Sequence, residues 1–226
     1  MKNDNIIIYF EFTYSKTDAL RHLEKRGFYL MNSSNIDRFI SCGIDAFHGY
    51  SIYNYFYQGK DYDKKLYLAI ELLVKETGKS GILYADSEKV NGFAQWFPPG
   101  FTGHSIMSYI YYGVWKYLFM TDFIGTFNCM NDVEDFSFKK KAEFTQNEDI
   151  FLYNLAVRKS MQKKGISSKL VRPMLEYAKT INRPCYLETY DPENVALYEH
   201  MGFKSLPSTK MTGTSVTHYP LIYKVD

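Results

Sequence analysis

Residues Ile150–Phe203 decide the reading of this chain: IFLYNLAVRKSMQKKGISSKLVRPMLEYAKTINRPCYLETYDPENVALYEHMGF. An apolar strand, Phe151–Val157, leads through a basic turn into a helix over Gly165–Thr180. A short buried strand, Cys185–Thr189, and a second helix, Glu193–Met201, follow before Gly202 stops the unit. The first N–H groups of a helix lack internal partners and carry partial positive charge, so a turn feeding a helix in this way suits an anion. Gly165 lets a ligand approach the main chain, Gln162 adds a side-chain amide, and Lys163 and Lys164 add charge. The helix starts at about Gly165, Ile166 follows, and Ser167 and Ser168 offer hydroxyls in its first turn; together these suit a pyrophosphate. Taken alone, Gln162–Ser167 reads equally as a basic loop with a capping glycine and no ligand. Other phosphate motifs fit worse. A Walker loop needs an earlier glycine that Met161–Lys169 lacks, and a dinucleotide fingerprint needs three glycines where only Gly165 stands.

The second helix adds chemistry. Asn194 and Tyr198 lie four apart and share one helix face. A phenol, with an ordinary pKa of about 10, can protonate a departing thiolate. Tyr198 alone also reads as an amphipathic residue packed under the Gly202–Phe203 turn.

In order and spacing these parts resemble the GNAT superfamily of acyl-coenzyme-A-dependent N-acetyltransferases. The matching residues are Leu155-Ala156-Val157, then Gln162-Lys163-Lys164-Gly165-Ile166-Ser167, then Asn194-x-x-x-Tyr198 with Gly202-Phe203. The tract Ala85–Gly100 resembles the family's earlier hairpin, while residues 1–30 and 103–148 carry little likeness. Ser167 stands where the family has Gly or Ala, a small departure that implies at most a slightly shifted phosphate contact. Pro173 is unusual in this helix but lies two turns past the phosphate turn.

The resemblance implies an α/β (α+β layered) fold: a mixed, mostly antiparallel sheet flanked by helices and splayed between the two strands that hold the cofactor. It implies acetyl-CoA as co-substrate and no metal. Leu155, Ala156 and Val157 would offer backbone groups to the pantetheine arm, and Gln162 to Ser168 would hold the pyrophosphate. Asn194 would fix the pantetheine or acetyl carbonyl, and Tyr198 would protonate the coenzyme A thiolate. The reaction implied is direct attack of a primary amine, on a small molecule or peptide, upon the thioester. A base must first take the ammonium proton. Glu188 leads the candidates, with Glu148 and Asp149 behind it. Trp96 and the aromatic residues of 103–120 are candidates for the acceptor wall, against the plainer reading of core filling.

Bulk properties bound these expectations. A chain of 226 residues with 46% hydrophobic residues suits one sizeable core. The net charge of +2 argues against a general nucleic-acid or membrane binder. Lys139–Lys141 reads as a solvated helix face, while Arg158, Lys159, Lys163, Lys164 and Lys169 overlap the glycine turn. Three widely spaced cysteines, Cys42, Cys129 and Cys185, form neither a disulfide framework nor a zinc pattern, so a reducing cytoplasm is the default. The N-terminal apolar run is interrupted by Glu11 and is too short for a signal peptide, and Ser108–Met120 falls short of a membrane span.

The rest of the chain reads as one domain, 1–226, with 1–30 an N-terminal extension and 150–203 the cofactor core. Strands are expected at Ile6–Phe12, Phe28–Met31, Gly81–Ala85, Val90–Phe97 and Tyr219–Val225. Helices are expected at Lys16–Arg26, at Ile36–His48 behind an Asn35 cap, and at Lys64–Thr77 with Gly78 as its stop. Residues 103–144 read as helical, broken at Gly113, Gly125 and Asn131–Asp132.

Besides an acetyltransferase, two other functions compete. One is a non-catalytic acyl-CoA-binding sensor or scaffold, which would need no acid at Tyr198. The other is a nucleic-acid domain using the Arg158–Lys169 cluster, which near-neutral charge and the lack of interleaved aromatics oppose. Partners are therefore expected to be a small-molecule or peptide amine, with no nucleic acid and no membrane. A homodimer is compatible with the resemblance.

Overall fold

The computed structural model describes residues 16–57, 60–104, 106–113, 115–116, 123–211 and 214–225. The expected strand Ile6–Phe12 lies outside them. Eight strands form one sheet: β1 (Tyr29–Leu30), β2 (Ile82–Ala85), β3 (Gly92–Phe97), β4 (Ile150–Val157), β5 (Cys185–Thr189), β6 (Lys204–Ser205), β7 (Thr209–Lys210) and β8 (Thr217–Tyr223). Their order is β1-β2-β3-β4-β5-β8-β6, with β7 also pairing β8. Every pairing is antiparallel except β4 with β5, which run parallel. The helices are α1 (residues 16–24), α2 (Ile36–Phe47), α3 (Ser51–Phe56), α4 (Tyr62–Ser80), α5 (Ile106–Tyr112), α6 (Phe123–Thr145), α7 (Ile166–Thr180) and α8 (Glu193–His200). Among the described residues, no helix is long and apolar enough to cross a membrane.

Helices cover both faces of the sheet, which is why β2 and β3 are buried at every position. Side chains still alternate between two cores, because successive residues of a strand point to opposite faces. Ile82, Tyr84, Ala94 and Trp96 pack with Leu170, Val171 and Met174 of α7, and α1 adds Ala19 and Leu23. Leu83, Ala85 and Phe93 pack instead with Phe39 and Ile40 of α2 and with Ile70 and Val74 of α4. Helix α1 is tied to α7 by His22 against the Pro173 carbonyl (3.0 Å) and by Arg26 with Glu176 (2.8 Å).

Several local expectations are corrected. Gly78 does not end α4, which runs on to Ser80. The Met31 side chain occupies the space where a Cβ at Gly78 would sit, so glycine serves a close approach there. Asn35 gives no side-chain cap to α2; it is buried and spans Leu30 and Asn32 through its amide. Gly125 and Asn131–Asp132 do not interrupt α6. A glycine costs a helix about 1 kcal/mol. The stripe Val133, Ser137, Lys141 and Thr145, buried at four-residue spacing, supplies tertiary packing that offsets it. Helix α3 and the short strands β6 and β7 were not foreseen.

The parallel β4–β5 ladder holds only Ile150–Leu152 against Cys185–Leu187. Past that point the strands part, while β4 stays paired to β3 as far as Val157. Tyr153 is an extra residue in β4, a bulge opposite the Gln95/Trp96 step. A bulge bends its strand, and here it coincides with the opening.

Candidate active site

The open edge of β4 is the first element of the site. Asn154, Leu155, Ala156 and Val157 face β3 through the ladder to Gln95, Ala94, Phe93 and Gly92, and their other edge lies where β5 has departed. Main-chain groups on such an edge pair with an extended ligand as an added strand would.

The turn beyond β4 is the second. Gly165 is the N-cap of α7 in a left-handed conformation (φ 78°), and nothing stands within 4 Å of where its Cβ would be. Lys163 is also left-handed, with φ 61°. Lys169, bonded to the Gly165 carbonyl, is the first residue of α7 whose N–H finds an acceptor among the described residues. The N–H groups from Lys163 to Ser168 are thus open to a ligand, and Gln162–Gly165 is solvent-exposed. Gln162 bonds the Val157 carbonyl (3.3 Å) and so joins the turn to β4. The basic cluster divides. Arg158 holds the Val90 carbonyl and Ser41, Lys159 holds Asp45 and the His48 carbonyl, and Lys169 holds the Asp86 carbonyl. Lys164 reaches the Ser160 carbonyl within its own turn, and Lys163 projects from the exposed loop.

Third is a cavity of about 190 Å³ at the parting of β4 and β5. Leu155, Glu188, Asn194 and Tyr198 all line it, so four of the sequence-predicted residues meet there. Asn194 donates its amide to Thr189 Oγ1 (3.2 Å), which fixes the start of α8 to the end of β5. Tyr198 is 8% exposed, and its ring packs on Phe203 at 6.1 Å. No hydrogen bond engages its hydroxyl among the described residues. Burial, and then the neighbouring Tyr50, push its pKa above the ordinary phenol value, so it holds its proton at neutral pH.

Glu188 is more heavily engaged. Ser137 of α6 and Tyr190 (3.0 Å) donate to one carboxylate oxygen, while His218 Nε2 lies 2.8 Å from the other and the Tyr186 hydroxyl 3.5 Å from it. Burial works to raise its pKa, but His218, Ser137 and Tyr190 outweigh burial and hold it below the usual carboxylate range. Glu188 is therefore ionised at neutral pH. His218 Nδ1 is buried without a partner among the described residues.

The other candidates lie elsewhere. Glu148 pairs with Arg183 near the surface, and Asp149 is buried against Lys141 at 2.9 Å; neither lines the cavity. Trp96 is fully buried in the core on the α7 face. Tyr111 and Trp115 are exposed, and no described residue of 103–120 lines the cavity. The wall comes instead from α3, α4 and α6, through residues such as Tyr53, Phe56, Leu72, Leu73, Met130 and Ser137. Sequence reasoning missed all of these, along with Glu134, Tyr190 and His218. One signal was present. The alternation Tyr186, Glu188, Tyr190 puts three polar-tipped residues on one strand face. For the α6 residues and His218 no local signal exists.

Comparison with known proteins bears on the fold and the family. A search among curated proteins finds no significant sequence match. Solved structures match over most of their length. A structure described as histone acetyltransferase HPA2 and related acetyltransferase, from Corynebacterium glutamicum, superimposes with a TM-score of 0.59 at 16% identity, covering 88% of this chain and 96% of that one. The C-terminal condensation domain of Ebony, solved with beta-alanyl-dopamine, gives 0.58 at 10% identity, covering 88% and 98%. An acetyltransferase of the GNAT family from Desulfovibrio desulfuricans gives 0.50 at 11%, covering 88% and 98%. At such identities the likeness is one of fold. The sequence profile of the acetyltransferase (GNAT) family matches residues 48–203, which contain the β4 edge, the α7 turn, Glu188, Asn194 and Tyr198. The chain belongs to the GNAT acetyltransferase family, whose members transfer acyl groups from acyl-coenzyme A.

Proposed function

We propose that the protein transfers an acetyl group from acetyl-CoA to a primary amine. One observation carries this reading: the open edge of β4 runs from a cavity lined by the proton-bearing phenol of Tyr198 toward the unpartnered N-terminus of α7. The residues present fit the cofactor. The N–H groups of Lys163 to Ser168 would take the pyrophosphate, with charge from Lys163 and Lys164, and the space at Gly165 admits it. The free edge of Leu155 to Val157 would hold the pantetheine amides, and Asn194 would orient the arm.

Bound acetyl-CoA supplies a thioester carbonyl open to a nucleophile. A β4 N–H on the open edge stabilises negative charge on that carbonyl oxygen. Tyr198, which keeps its proton at neutral pH, would deliver it to the leaving sulfur. Glu188 is the ionised carboxylate of the cavity. Its depressed pKa suits it to attract the ammonium form rather than to act as the base, so the ammonium proton would leave to water before attack. A non-catalytic acyl-CoA sensor would not need an unbonded phenol beside the strand edge. A nucleic-acid role is disfavoured because Arg158, Lys159 and Lys169 are spent on carbonyls and side chains of this chain.

Calorimetry with acetyl-CoA followed by thiol release against a panel of primary amines tests the proposal. Saturable donor binding with amine-dependent thiol release is expected. Absence of donor binding sinks it, and tight binding without release on a broad panel favours the sensor.

A further inference from the structure

The donor groove is built from backbone, whereas the cavity behind it has a composition of its own. Among the described residues its wall carries two carboxylates, Glu188 and Glu134, and no lysine, arginine or histidine. Glu188 sits at the polar side beside Asn194 and Tyr198. Glu134 accepts from the main-chain N–H of His104 (3.2 Å) and, with Asn131 and Phe138, borders both the cavity and the groove next to it. Carboxylates thus stand at the mouth and at the reacting end. The opposite side is hydrocarbon and ring: Ile52, Tyr53 and Phe56 near α3, Leu72 and Leu73 of α4, and Met130 of α6.

Size narrows the choice. A cavity of about 150 Å³ holds one benzene ring. The volume here is about 190 Å³, room for one ring with a short arm. A multi-ring aminosugar or a folded protein terminus does not fit inside. A second ammonium could meet Glu134, but any further charge on a polyamine would lie against the apolar side unpaired, and burying such a charge is strongly unfavourable. A carboxylate on the acceptor would face Glu188 and Glu134 with no cation to meet it.

We infer that the acceptor carries its primary ammonium group on a short arm from an uncharged aromatic ring and has no carboxylate. The ring rests against α3 and α4, and the nitrogen faces Glu188 and Tyr198. This deepens the transferase reading and rests on it. Its specificity is written in α6, which supplies Met130, Glu134 and Ser137, rather than in the residues that hold the donor.

The test compares matched amines with acetyl-CoA saturating. Against phenethylamine, L-phenylalanine adds only a carboxylate, ethylamine removes only the ring, and spermidine replaces the ring by further charges. Phenethylamine should show a kcat/KM at least about tenfold above each of the others, within the range that pocket contacts achieve. Calorimetry with phenethylamine and with L-phenylalanine gives a second readout independent of turnover, and binding of the first alone is expected. Equal or better use of L-phenylalanine, ethylamine or spermidine overturns the inference, as does failure of phenethylamine to bind. Glu134→Gln should narrow the preference for phenethylamine over L-phenylalanine by at least about threefold with acetyl-CoA affinity unchanged; an unchanged ratio overturns the charge argument. Calorimetry with acetyl-CoA on the same preparation separates the failures. Lack of donor binding removes the transferase reading, whereas donor binding with another acceptor order removes only the acceptor class.

Discussion

The two halves of the site are made differently. The proposed donor half is contiguous, from Leu155 to Tyr198, and would work largely through main-chain groups: the edge of β4 and the first N–H groups of α7. The proposed acceptor half is gathered from α3, α4, α6 and β5, and would work through side chains such as Phe56, Leu73, Ser137 and Glu188. Recognition by backbone needs a certain chain path, and few residue types permit that path. Recognition by side chains needs only a certain chemistry, which many positions can supply. The donor half therefore leaves a spaced motif, and the acceptor half leaves none.

Variants at each half should separate in kinetics, and the strongest effect is expected where the halves meet. Tyr198→Phe should lower kcat by roughly ten- to a thousandfold, the range of general acid catalysis, with acetyl-CoA affinity unchanged by calorimetry. An unaltered kcat would remove Tyr198 from the chemistry and leave it as the packing partner of Phe203.

On the donor side alone, Gly165→Leu places a side chain in the open space at a left-handed position. Acetyl-CoA affinity should fall on the order of tenfold or more, because the branched side chain both strains the turn and covers its N–H groups. The KM for amine at saturating donor should not move. Retained donor affinity would contradict the pyrophosphate assignment.

On the acceptor side, Ser137→Ala removes one donor from Glu188. The amine KM should rise several-fold, about the net worth of one ordinary hydrogen bond, while the acetyl-CoA KM stays put. A shift in the donor constant instead would show the halves to be coupled.

The smallest effect concerns pH. The pKa of Glu188 is depressed in the folded state, so its stabilising contribution is complete above the unfolded value of about 4.3 and is lost as pH falls through the folded value. The stability difference between wild type and Glu188→Gln, followed by urea unfolding, should be constant from pH 7 to about pH 5 and shrink below it. A difference that grows on acidification would contradict the depressed value.

Much of the architecture was legible beforehand for the same reason as the donor half. The runs at Phe151–Val157 and Cys185–Thr189 read as strands because both faces are covered and the apolar run is nearly unbroken. Helix α2 read correctly from apolar residues at helical spacing, as Phe39, Ile40 and Phe47 are buried. Punctuation was less reliable. Gly78 and Gly125 signalled stops, yet α4 and α6 run through them, since packing by Met31 and by the Val133–Thr145 stripe outweighs a local preference of about 1 kcal/mol. Asn35 looked like a cap and is spent instead on the Leu30 carbonyl. Trp96 looked like a candidate pocket wall, but its place in β3 turns it to the face opposite α4.

The sequence by itself determined the central sheet strands, the turn at Gly165 and the place of Tyr198 on the helix after β5, because these depend on local conformation and fixed spacing. Only the tertiary structure decided the acceptor cavity. Ser137 meets Glu188 across 51 residues and His218 meets it across 30, and distances of that kind are set by how α6 and β8 dock on the sheet rather than by any neighbour in the chain.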